Sequence, residues 1–275
     1  MLTAIRAALS EGDVIPYLGA GALALTGPDC PVPASPEALV AKLTATTSVP
    51  HKIRHNLTGA AQFIENFKHR KTLVFLMQQA FAPSVTPSPL HRFLAEQPAI
   101  KLIVHAWYDN AMQQALAGRD DWGIIQGVSQ AEHYGRWTHA FDAKGVSVED
   151  AKAAWNTVLY EPIGAVTPAS NFLVSDSDYV EVLTEIDIQT PIPDTVQRLR
   201  TGRHFLYLGC RFSTQIERIY AHQISKRSSD QHWMVLPETP TRNEARFMAQ
   251  HGITRIDMSL EDFAEALAEP VRVPA

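Results

Sequence analysis

The stretch Val14-Ile15-Pro16-Tyr17-Leu18-Gly19-Ala20-Gly21-Ala22-Leu23 decides the reading of this 275-residue chain. An apolar run of strand type ends in two glycines and passes into small residues. Glycine permits a sharp turn and leaves no Cβ between the backbone and a ligand. A helix beginning there would aim its first free N–H groups and the positive end of its dipole at one spot, which suits a diphosphate. Turns of this kind also arise as packing solutions, so the motif alone is compatible with a nucleotide cradle without requiring one.

A second strand-like run, His204-Phe205-Leu206-Tyr207-Leu208, ends the same way in Gly209-Cys210. Further strands are predicted at Ile100–Ala106, near Thr157–Tyr160, at Trp233–Leu236 and at Thr254–Asp257. Helices are predicted over 1–11, from Ser35 as N-cap with Pro36 in the first turn, and over 58–81, 89–96 and 147–155. Residues 178–183, 193–200, 214–225, 241–251 and 260–267 complete the set. Such alternation indicates an α/β fold, a parallel sheet with helices on both faces. Ligands of open parallel sheets bind beyond the carboxyl ends of strands, where both glycine turns are expected. Gly19-x-Gly21-x-x-Ala24 formally satisfies a dinucleotide fingerprint, which also needs a strand ending in an acidic residue about 20 positions on. Prolines and a helix start stand there instead, with Glu37 inside the helix, so a conventional dehydrogenase is disfavoured.

With 45% hydrophobic and 19% charged residues the chain has the make-up of an ordinary globular protein. A net charge of −5 gives no global pull toward nucleic acid or an anionic membrane, so neither is an expected partner. No apolar run approaches the roughly 18 residues of a membrane span, and no signal peptide is apparent, so the expected location is the cytoplasm. Two cysteines, Cys30 and Cys210, are too few for a disulfide framework or a four-cysteine zinc site, and no metal is expected.

Several motifs resemble, in order, those of the sirtuin-like family, especially its bacterial branch that includes NAD-degrading proteins. Val14–Leu23 resembles the family's glycine-alanine-glycine loop, and Gly59-Ala60-Ala61-Gln62-Phe63-Ile64-Glu65 resembles a helix of its small subdomain. Pro89–Leu94 followed by Leu102-Ile103-Val104-His105-Ala106-Trp107-Tyr108-Asp109 resembles the histidine-led helix and the strand ending in Thr-Thr-Asn-Tyr-Asp. Phe172–Tyr179 and Phe205–Phe212 resemble later landmarks, so that the likeness spans roughly residues 10–265. It implies a Rossmann-like sheet with an inserted, mostly helical smaller subdomain. The single domain 1–275 would then divide into a Rossmann-like part, 12–30, 98–110 and 157–270, and helical insertions, 35–95 and 111–156. It also implies NAD or ADP-ribose as ligand, in a cleft touched by Gly19, Ala20, Gly21, Ala22, Leu23, Trp107, Tyr108, Asp109, Gly209, Cys210 and Arg211.

Two departures bear on activity. The family's asparagine positions a ribose or a water, and Trp107 stands in its place; its histidine base sits in a Leu-His-Gly turn, which corresponds here to Pro162-Ile163-Gly164. Indole offers one N–H donor and no acceptor. Ile163 takes no proton, and general-base help is worth about 10²–10⁴ in rate. The expected function is therefore nucleotide binding with degenerate catalysis, as a sensor or accessory protein. The alternative is an NAD glycohydrolase or related N-glycosidase using His105 and Asp109 as replacement groups; a protein deacylase comes third. Asp109 has a competing structural role as a helix cap, and His105 as a hydrogen-bonded interface residue. His133 and His139 fall in an irregular stretch that could approach a ligand, whereas His51 and His55 read as a solvated basic face. Trp122, Trp137 and Trp155 read as core rather than stacking platforms. The extra helices offer surfaces for self-association or for an unidentified protein partner.

Overall fold

Buried apolar runs become the strands of one sheet in the computed structural model, which describes residues 1–185 and 191–268. Residues 186–190 and the end of the segment expected at 157–270 lie outside the described residues. The strands are β1 (Val14–Leu18), β2 (Leu102–His105), β3 (Trp122–Gly127), β4 (Thr138–Asp142), β5 (Ser147–Val148) and β6 (Thr157–Glu161), then β7 (Gly164–Ala165), β8 (Asn171–Phe172), β9 (His204–Leu208), β10 (His232–Val235) and β11 (Ile253–Ile256). Nine of them form a sheet in the order β11-β10-β9-β1-β2-β6-β3-β4-β5, and β7 pairs with β8 separately. Pairing is parallel from β11 to β3 and antiparallel through β4 and β5.

Pro16 lies inside a central strand, a position that ordinarily needs its N–H. Gly19 N–H donates to Leu208 on β9, and the Leu18 carbonyl accepts from Ala106 beyond β2. Alternation therefore turns the Pro16 nitrogen toward β2, where pairing begins only at Tyr17. The missing donor costs no ladder bond.

The helices are α1 (Leu2–Glu11), α2 (Pro36–Thr44), α3 (Leu57–Lys68), α4 (Arg70–Phe81), α5 (Pro89–Ala95), α6 (Ala111–Leu116), α7 (Asp176–Glu185), α8 (Asp194–Arg200), α9 (Gln215–Ser225), α10 (Arg242–Gln250) and α11 (Leu260–Ala268). Ser35 caps α2 through Ala38 N–H with Pro36 in the first turn, as expected. Thr214 and Thr241 make capping boxes with Glu217 and Glu244. No helix among the described residues is long and apolar enough to cross a membrane.

Helices cover both faces of the sheet over two apolar clusters. One holds alternate strand residues such as Tyr17, Val104, Tyr160 and Tyr207 with α2, α3, α4, α9 and α10. Leu18, Ile103, Leu159 and Leu208 on the other face pack with α1, α5, α6 and α11.

Five expectations need correction. The helix over 58–81 is two helices, broken at His69, whose φ of 69° is left-handed. Residues 147–155 form no helix: β5 occupies 147–148 and loops follow. The insertion expected to be helical over 111–156 contains only α6 as helix and contributes β3, β4 and β5 to the sheet. Within 35–95, α5 leaves the helical unit of α2–α4 and packs beside α6 and α11. After Gly19 the chain enters a 3₁₀ helix, Ala20–Thr26, rather than an α-helix.

Candidate functional site

The strand order reverses beside β1, because the chain runs from β1 toward β2 and later from β9 toward β10. This is where an open α/β sheet forms its ligand crevice, and the two glycine turns meet there. Gly21 N–H donates to the Gly209 carbonyl at 2.9 Å, and Ala22 N–H to Gly19 at 3.0 Å. A Cβ on Gly19 or Gly21 would lie 2.6 or 2.8 Å from the Gly209 oxygen. Gly209 has φ +65°, and a Cβ on it would collide with Ala22 N. The three glycines thus let two backbones touch each other, and three amides of the turn are spent inside the protein.

Ala20 and Gly21 remain half-buried, whereas Ala22 and Leu23 are buried, one in each apolar cluster. Cys210 is buried with its Sγ on the Tyr17 carbonyl, and burial pushes its thiol pKa up. Arg211, with 42% of its side chain exposed, forks onto Glu244 at 3.0 and 3.1 Å and reaches Glu238 at 3.5 Å.

Trp107, Tyr108 and Ile163 belong to the apolar cluster that joins α2–α4 to the sheet. Trp107 and Ile163 are each 5% exposed. The indole Nε1 donates to the Pro33 carbonyl at 2.7 Å, and its ring meets Phe81 edge-on with centroids 6.0 Å apart. Tyr108 donates to the Leu173 carbonyl at 2.7 Å, and burial raises its pKa. This group holds no side chain able to exchange a proton near neutrality.

His105 and Asp109 do not join it. His105 shares the strand face of Ile103, the face toward α5 and α6. Its Nε2 is 3.1 Å from Asp109, and its Nδ1 is 3.8 Å from Glu161 on β6. All three side chains are at most 2% exposed. Burial would lower the His105 pKa, but Asp109 and Glu161 outweigh it and hold it up at about 10. Asp109, which burial alone would raise, is lowered by the imidazolium and by Ala111 N–H, a 2.8 Å bond in the first turn of α6. Glu161 accepts from the Gln113 and Gln126 amides at 2.7 Å each, and both amides also donate to the Thr167 carbonyl. The assembly is a buried charge network that ties β2, β6, β3 and α6 together. The pairing of His105 with Asp109 as catalytic groups at the cleft is therefore corrected: they share a network, on the opposite face of the sheet from Trp107 and Ile163.

Sequence reasoning missed Glu161, whose only signal is a carboxylate closing an otherwise apolar strand. It also missed Arg70, which bonds Asp178 at 2.9 Å, Glu132 at 3.2 Å, Glu65 at 3.4 Å and the Phe172 carbonyl at 2.5 Å. His133 and His139 lie edge-to-face, 4.8 Å between centroids, with His133 on Asn171 at 2.8 Å. His51 and His55 are exposed. Trp122 is buried in the sheet, and the Trp155 ring fills the space a Cβ on Gly123 would need. No group of three or more His, Cys, Asp or Glu among the described residues is arranged to hold a metal ion.

A family model described as a SIR2-like domain matches residues 101–256, more than half of the chain. No curated protein matches. A solved structure from work on the "Structural Basis for the Mechanism and Regulation of Sir2 Enzymes" is 14% identical and covers 97% of this chain and 96% of its own, with a TM-score of 0.37. That overlap is too loose to carry an argument.

Proposed function

The chain belongs to the SIR2-like family, and from that membership we propose that it is a binding module, a sensor or accessory protein that recognises an ADP-ribose-type nucleotide without cleaving it. One observation carries the reading: Trp107 and Ile163, at the positions that matter for family chemistry, are core residues with no proton to exchange. Their buried side chains fill the position where the nicotinamide ribose would lie. The groups accessible at the strand-order reversal are the N–H of half-buried Ala20, which is not among the three amides spent inside the turn, and the part-exposed Arg211 guanidinium. They are suited to a phosphate-bearing, adenosine-type half of the ligand.

Calorimetry with ADP-ribose and with NAD, beside chromatographic detection of nicotinamide, tests the proposal. Saturable heat with ADP-ribose and no nicotinamide release is the expected result. Sustained, saturable release of nicotinamide by the wild-type chain would establish an NAD glycohydrolase instead. No heat from either ligand at millimolar concentration would remove nucleotide recognition altogether. A deacylase reading gains nothing from the chain, whose two cysteines cannot form a four-cysteine zinc module.

A further inference from the structure

Helices α9 and α10 follow β9 and β10, pack on the same sheet face and leave an open groove between them. Arg218, Ile219 and His222 line it from α9, and Arg246 and Phe247 from α10 with His251 at its C-cap; the remaining lining groups are carboxamides. Along each wall the positions fall at i, i+3 or i+4, so each helix presents one continuous stripe. From Gln215 to His222 the stripe rises about 10 Å, enough for about three residues of extended peptide.

The charge of the groove runs against that of the chain. The protein carries 29 acidic and 24 basic side chains, yet two guanidiniums and two imidazoles line this surface and no carboxylate does. Arg218 is fixed by donating to the Phe212 and Ser213 carbonyls at 2.6 and 2.8 Å, and Arg246 stands exposed on the facing wall. Between them lies an apolar strip. Ile219 is 37% exposed, and the rings of Phe247, His251 and His222 form a column with centroids 4.7 and 4.2 Å apart. Burial holds both imidazoles below their ordinary pKa, so the arginines carry the charge at neutral pH.

We propose that this groove docks an extended acidic segment of a partner protein. Its carboxylates would pair with Arg218 and Arg246, and an apolar side chain would rest on Ile219 and the ring column. The cations come from opposite walls of an open trough, with Arg218 tied back to the Phe212 and Ser213 carbonyls, an arrangement suited to a segment bearing several charges. Amide side chains along both walls suit the backbone of such a segment. This inference is independent of the nucleotide reading.

Fluorescence anisotropy with a labelled peptide of alternating glutamate and leucine tests it, with a lysine–leucine peptide as control. The acidic peptide alone should bind, more weakly as salt rises, because these charges are exposed. Arg246→Glu should weaken binding about tenfold while leaving the melting temperature unchanged. Equal affinity of wild type and Arg246→Glu would overturn the proposal. So would displacement of the peptide by millimolar inorganic phosphate, which would mark a small-anion site. Self-association in sedimentation velocity that Arg246→Glu abolishes would reassign the groove to a second copy of the chain.

Discussion

His105 shows how far one residue's neighbours decide its role. At a strand end beside a family motif it resembles a catalytic imidazole; inside the fold it is a cation held by two carboxylates. The buried groups around it set the pH dependence of stability. With its pKa raised from 6.5 to about 10, His105 contributes stability that is complete below 6.5 and lost as pH rises toward about 10. His91, pushed by burial from 6.5 down to about 4, acts oppositely: stability falls as pH drops through that range. Asp109, whose pKa is lowered, adds a loss at still lower pH. Urea midpoints measured across pH should therefore peak near neutrality and decline on both sides. His105→Ala should cost about 3–5 kcal/mol, because it leaves two buried carboxylates without their cation. It should also flatten the alkaline limb. An alkaline limb unchanged in this variant would mean that another group titrates there.

Among the elements, the glycine corner tests the structure most directly. Gly209→Ala should destabilise by about 3 kcal/mol or more, since φ is positive and the added carbon meets Ala22 N. Gly118→Ala, with open space around it and a backbone outside the positive-φ region, should stay within about 0.5 kcal/mol in the same denaturation experiment. The corner was legible in part. Two apolar runs ending in glycine announced two parallel strands meeting at one edge. What they did not announce is that the glycines serve each other, because that contact joins residues about 190 positions apart. Local pattern failed wherever a distant partner decided the outcome. The 58–81 periodicity continues through His69, and only a backbone reversal there divides it. Trp122-Gly123-Ile124-Ile125 is short and interrupted by glycine, yet it pairs with β6 and β4, and the Trp155 ring from beyond two intervening strands lies over Gly123.

At the level of the whole molecule, the inserted helices and the sheet share one interior. A single apolar cluster runs from Leu39, Ile64 and Met77 through Phe81, Trp107 and Ile163 to Tyr207 and Phe247. Arg70, in the first turn of α4, adds polar ties from the helical unit to α7, β8 and the β3–β4 connection. A unit fastened in both ways does not unfold alone. Far-UV circular dichroism and tryptophan fluorescence should therefore trace one coincident transition in urea. Trp107→Ala should lower stability by about 3–5 kcal/mol through the cavity it opens, without splitting that transition. Arg70→Ala should act differently. It leaves Asp178 buried beside an absent cation, at a cost of about 3–5 kcal/mol, and removes the ties peculiar to the helical unit. Amide exchange in α3 and α4 should then quicken ahead of exchange in β1 and β9. Uniform loss of protection across all four elements would show that the apolar cluster alone joins the helices to the sheet.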